Sequence, residues 1–199
     1  MILYICIIAI SMVLICFFNS IFHSICFVEH GLLNLILIVG LAVVIEFLID
    51  LIISGLVSIF PAKTYVGFKK KYKWEKKFYE KLGVKVWKDY VPIGKGPLLI
   101  GMDKSKIEKP NDINFLHKLM DECLRAEVMH FLSMFLGFFL ILIFPIKYAL
   151  IISLPVAIVN MFLQLLPFIV QRYNLPKLEV LLERNRRLQM REKKNNLNE

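Results

Sequence analysis

The first 60 residues contain no lysine or arginine, and that absence constrains the fold more than any other feature. Two apolar runs fill this stretch, Ile2 to Phe18 (extending as far as Phe27) and Leu32 to Phe60, the second closed by Pro61. A helix needs about 20 apolar residues to cross a hydrocarbon core of roughly 30 Å. Val128 to Phe144 and Tyr148 to Val170 supply two further runs, separated by a very short turn at Pro145 and Lys147. The first run lacks a basic leader and a small-x-small cleavage pattern, so it reads as an anchor. Hydrophobic residues make up 58% of the chain, above the roughly 45–50% usual for soluble domains. A solvated disordered chain is excluded for the same reason. The expected fold class is all-α, a polytopic membrane protein with four transmembrane helices.

Charge then sets the expected topology. Residues 61–118 hold 15 lysines and residues 171–199 hold 8 lysines and arginines. The positive-inside rule puts both segments in the cytoplasm, and with four crossings both termini face it too, the cell membrane being the expected location. The chain divides on this reading into residues 1–60 (spans one and two), a basic cytoplasmic or interfacial segment 61–118, a hairpin 119–176 (spans three and four) and a basic amphipathic tail 177–199. Trp74, Phe78 and Leu82 recur at intervals of four among lysines, which reads as a helix lying on the membrane surface. Residues 92–110, rich in proline and glycine, read as a loop, after which Asn111 or Asp112 caps a helix running into span three. A basic pI in such a chain points to anionic lipid, and no nucleic-acid motif accompanies it.

No cysteine or histidine cluster has metal-binding spacing, so no metal and no disulfide framework is expected. The scattered cysteines read as small buried hydrophobes, with Cys123 kept open as a thioester carrier.

Polar residues inside spans cost on the order of 2.5–3.5 kcal/mol and call for a reason. Glu46 and Asp50 lie four apart on one face of span two, as the wall of a substrate cleft or as an interhelical pair. Asn19 and His23 read as solvated at the outer end of span one. Glu29 and His30 read as loop residues without chemistry. Span three opens with Glu122, Cys123, Arg125, Glu127 and His130. At roughly 100° per residue, Cys123, Glu127 and His130 share a sector of about 60°, while Arg125 points the other way, nearer Glu122. A carboxylate one turn before an imidazole orients it as a general base, and an imidazole titrates near neutrality; the alternative is a structural pair. Along span four, Asn160, Gln164, Pro167, Gln171 and Asn174 form a polar stripe that exits beside Arg172. Asn160 and Gln164 line a cleft or make amide bonds between helices. Arg172 binds lipid phosphate or substrate. As hairpin partners, Glu127/His130 and Gln171/Arg172 are expected neighbours. Trp87 suits an interface, and Asp89 is a lone acid among lysines.

Taken in order, Trp74-Glu75 with Tyr79 and Leu82, then Lys85-x-Trp87-Lys88-Asp89-x-x-Pro92, Glu122-x-x-Arg125-Ala126-Glu127-x-x-His130 and Gln171-Arg172-Tyr173-Asn174-x-Pro176 resemble the glycosyl-4,4′-diaponeurosporenoate acyltransferases. The resemblance covers roughly residues 60–180 and departs from the family pattern at Leu175, where a basic residue often stands. It implies O-acyl transfer from an acyl thioester to a sugar hydroxyl of a glycosylated carotenoid-like or other lipid acceptor. On that expectation His130 and Glu127 are catalytic. Arg125, Arg172, Gln171, Asn174, Asn160, Gln164, Trp87 and Asp89 bind substrate. No cofactor is held, and acyl-CoA or an acyl-carrier protein is the co-substrate. The partners are membrane lipid, the lipid or glycolipid acceptor and the acyl donor, with no nucleic acid. The competing expectation is a non-enzymatic helical scaffold or lipid-binding accessory protein.

Overall fold

The computed structural model describes residues 2–69, 73–92 and 107–196. Within them all regular structure is helical. Helix α1 spans Ile2–Ile21 and α2 Ile25–Ile59, followed by a 3₁₀ segment at Ala62–Lys69. Then come α3 (Lys73–Lys81), α4 (Val84–Trp87) with a 3₁₀ turn at Lys88–Tyr90, and α5 (Ile113–Leu136). A 3₁₀ turn at Gly137–Phe139 leads into α6 (Leu140–Ile143); α7 (Ile146–Tyr148) and a π-helical turn at Ala149–Ser153 precede α8 (Leu154–Asn196). Four helical stretches are long and apolar enough to cross a membrane: Ile2–Ile21, Ile25–Ile59, Ile113–Ile143 and Ile146–Asn196.

Several boundaries differ from the sequence reading, for local reasons. Glu29 and His30 are helical, because α2 begins at Ile25 and is broken only at Gly31 (φ 72°), a left-handed value that glycine adopts at no steric cost. Span three starts at Ile113, where Asp112 Oδ1 accepts from the backbone N–H groups of Asn114 (2.9 Å) and Phe115 (3.0 Å), the expected N-cap. Phe144, just before Pro145, is extended (ψ 152°), since proline disfavours helix at the residue preceding it. The tail is no separate helix: α8 runs through Pro167 and Pro176 to Asn196. Most of the 92–110 loop, residues 93–106, lies outside the described residues.

The chain forms two structural units, Met1–Ile59 with Met129–Leu166 and Phe60–Val128 with Pro167–Glu199. The core of the first is built from Ile15, Leu35, Val39, Ala42, Leu140, Tyr148, Ile152 and Val156. There α1 is pinned to the last helix through carbonyls that prolines leave without their usual donor. Pro155 and Pro167 offer no N–H to the carbonyls four residues earlier. Asn19 Nδ2 donates to one of these, Ile151 O (3.0 Å), and Tyr4 Oη donates to the other, Leu163 O (3.0 Å). Asn19 is therefore a buried strut, not the solvated residue its position suggested. In the same unit Tyr148 Oη donates to Glu29 Oε2 (2.5 Å) and shares a hydrogen bond with His30 Nε2 (2.7 Å), while Lys147 Nζ donates to Glu29 at 2.7 and 2.9 Å. Two residues expected to be plain loop thus fasten the turn after Pro145.

The second unit has its own core of Leu116, Leu119, Met120, Cys123, Leu124, Leu175, Leu178 and Leu182. Beside it Asn185 Nδ2 donates to Pro110 O (2.6 Å), and Arg186 Nη2 meets His117 Nε2 at 2.7 Å.

Candidate active site

In the first unit the polar residues of three helices form one chain of hydrogen bonds. His130 Nδ1 lies 2.6 Å from Gln164 Oε1, and Gln164 Nε2 donates to Asp50 Oδ2 at 2.5 Å. Asn160 Nδ2 donates to Glu46 Oε1 (2.6 Å), with Asp50 Oδ1 at 3.4 Å. Gln164 Nε2 also stands 3.3 Å from Asn160 Oδ1. The four-residue spacings Glu46/Asp50 and Asn160/Gln164 place each pair on one helical face. Since an amide oxygen only accepts, His130 Nδ1–H is the donor in this contact. Glu46 is 4% exposed and its Oε2 has no hydrogen-bond partner among the described residues. Gly137 permits this packing: a Cβ there would overlap Glu46 Oε1 and crowd Asn160. The sequence reading had not singled out this glycine, whose only signal is its position in an otherwise bulky span.

The second unit holds a different centre. Arg172 Nε and Nη2 donate to the two oxygens of Glu75 (2.8 Å each), while Nη1 donates to Glu127 Oε1 (2.7 Å) and Phe68 O (2.6 Å). This bidentate fork is the strong form of the arginine–carboxylate pair. Glu127 is fully buried and Glu75 is 5% exposed. The expected pairing of Glu127 with Arg172 is present. Glu75 was missed as a site residue; its signal was an acid next to Trp74 in a lysine-rich helix. Tyr79, one turn on, is also buried. Burial first, and then the Glu75 carboxylate, push its phenol above the ordinary tyrosine range, with Arg172 acting in the opposite direction.

The remaining candidates are dispersed within the second unit. Arg125 Nη1 donates to Glu122 Oε1 at 2.8 Å, on the side away from Glu127. Gln171 is buried, its Oε1 without a partner among the described residues, and Asn174 is half-buried. Trp87 Nε1 donates to Leu82 O (3.0 Å), and the exposed Asp89 lies 3.3 Å from Lys88 Nζ. Cys123 is buried among leucines. Among the described residues no group of three or more His, Cys, Asp or Glu side chains is arranged to hold a metal ion.

Membrane-length helices linked by a hydrogen-bonded chain of partly buried imidazole, carboxylate and carboxamide side chains define an integral membrane protein. The chain belongs to the glycosyl-4,4′-diaponeurosporenoate acyltransferase family, whose family model matches residues 61–184. It is a membrane acyltransferase that moves groups other than aminoacyl groups, which decides against the scaffold reading. No curated protein and no solved structure matches it. His130, Gln164, Asn160, Glu75, Glu127 and Arg172 fall inside the matched region, whereas Glu46 and Asp50 fall outside it.

Proposed function

We propose that the enzyme transfers a fatty acyl chain from an acyl thioester to a hydroxyl of a glycosylated carotenoid-like lipid, or a related glycolipid, at the cytoplasmic leaflet of the cell membrane, with both termini in the cytoplasm. The observation that carries this reading is the Asp50–Gln164–His130 chain, with contacts of 2.5 and 2.6 Å. Asp50 orients Gln164, whose amide oxygen holds His130 Nδ1–H and directs the basic Nε2 to the acceptor. Nε2 takes the proton of the hydroxyl, and the oxygen attacks the thioester carbonyl. The new C–O bond forms, the C–S bond breaks, and the imidazolium returns its proton to the departing thiolate. Asn160 and Gln164 flank the acceptor end.

Glu127, anchored by Arg172, fixes the helical turn from which His130 projects, and so acts as a positioning residue. Arg125 sits on a half-exposed ion pair and is able to exchange Glu122 for a donor phosphate. Gln171, Asn174, Trp87 and Asp89, all in the second unit, are substrate-binding residues on this reading. The donor is acyl-CoA or an acyl-carrier protein, either of which suits a lysine-rich cytoplasmic face. Burial of Cys123 among leucines favours direct transfer over a cysteine-bound intermediate.

The test is a reconstituted assay with labelled acyl-CoA and a glycosylated carotenoid acceptor, with the product read by mass spectrometry. His130→Ala is expected to insert normally and lower turnover by about 10²–10⁴-fold. Undiminished product from that variant rejects the general-base role.

A further inference from the structure

Helix α3 presents two unlike faces. Trp74, Phe78 and, just past its end, Leu82 are 61%, 47% and 45% exposed, and beyond the break at Gly83 Val86 and Tyr90 are exposed too. Lys77, Lys81 and Lys85 are exposed and repeat with the same interval of four. Trp74 and Phe78 meet edge to face at 5.9 Å. The adjoining face is buried and carries Glu75, the residue that grips Arg172 with both oxygens, while Arg172 in turn holds Glu127.

We propose that the outer face of α3 docks on anionic lipid headgroups and thereby sets the Glu75–Arg172–Glu127 clamp, so that acyl transfer depends on the negative charge of the leaflet. The occupant is lipid for three reasons. A bilayer already surrounds a chain with four membrane-length helices. A tryptophan beside a phenylalanine and a leucine, bordered by lysines, matches the boundary between headgroups and acyl chains. Finally, the lysines carry the charge complementary to an anionic surface. The coupling of docking to transfer rests on the function proposed above; the docking itself does not.

The 199-residue chain carries two tryptophans, Trp74 and Trp87, so a Trp87→Phe background makes Trp74 the sole reporter. Nanodiscs of zwitterionic lipid, with or without phosphatidylglycerol and containing brominated acyl chains, measure its depth by quenching. Stronger quenching with phosphatidylglycerol is expected. In the triple variant K77Q/K81Q/K85Q this docking is expected to weaken on the order of 100-fold, at about fivefold per lysine. Quenching that is equal in both lipids overturns the docking, whether or not the protein transfers acyl groups. So does shielding of Trp74 by a soluble acyl-carrier protein alone.

With Trp87 restored, the transfer rate is expected to rise several-fold with phosphatidylglycerol in the native chain and to be indifferent to it in Glu75→Gln. Quenching that responds to lipid charge while the transfer rate does not overturns the coupling and leaves the docking standing.

Discussion

The two polar centres solve the problem of buried carboxylates in opposite ways. In the second unit, Glu75 and Glu127 face Arg172, which donates to both of them and to a backbone carbonyl. In the first, Glu46 and Asp50 are met by the carboxamides of Asn160 and Gln164. That unit's sequence contains a single lysine or arginine, Lys147, and it is bonded to Glu29. A guanidinium fixed between carboxylates holds a conformation and resists change, because removing one partner strands a buried charge. An amide chain ending on an imidazole carries no such lock. It sets a tautomer and lets a proton come and go at the far nitrogen. On the function proposed here the first centre is the place for chemistry, and the second the brace.

That contrast is broken most severely at the brace. Arg172→Ala leaves Glu75 and Glu127 without their cation and is expected to cost about 3–5 kcal/mol, read as a loss of folded protein in a detergent thermal-stability assay. A smaller effect is expected at the close approach in the first unit. Gly137→Ala forces the Glu46 carboxylate off Asn160, at about 1–3 kcal/mol, and lowers the same melting temperature. Gln164→Leu keeps the fold but removes the acceptor of His130 Nδ1. Its turnover is expected to fall by about tenfold or more, and the acidic limb of its pH–rate profile to shift, whereas Arg172→Lys leaves that limb in place. Least disruptive is Tyr4→Phe, which frees the Leu163 carbonyl and is expected to cost about 0.6 kcal/mol, the mean for a hydrogen bond between membrane helices.

The spans were legible because run length against bilayer thickness is a strong constraint, and Asp112 was legible because a cap sits next to the helix it starts. The continuity of α8 through Pro167 was not. A proline normally signals an end, and the donor that relieves it, Tyr4, lies 159 residues from Leu163. Glu29 and His30 passed for loop because polarity beside a glycine looks like a break, and their partner Tyr148 is distant in sequence. At the site, the pairing of the hairpin ends followed from the short turn at Pro145. The contribution of span two did not, since a face carrying Glu46 and Asp50 does not reveal which helix supplies the amides. Glu75 was hidden by its surroundings, one of two acids in a helix whose lysines and aromatics dominate the pattern.

The central claim is that proton transfer belongs to the His130 centre and not to the Arg172 centre. Turnover per folded molecule, measured side by side for His130→Ala and Arg172→Lys in the same lipid and with the same acceptor, tests it most directly. The account predicts an intact but inert His130 variant and an Arg172 variant that is less stable and slower by no more than the several-fold effect of the clamp, yet still turns over. A His130 variant at full rate beside a folded, inactive Arg172→Lys would contradict it.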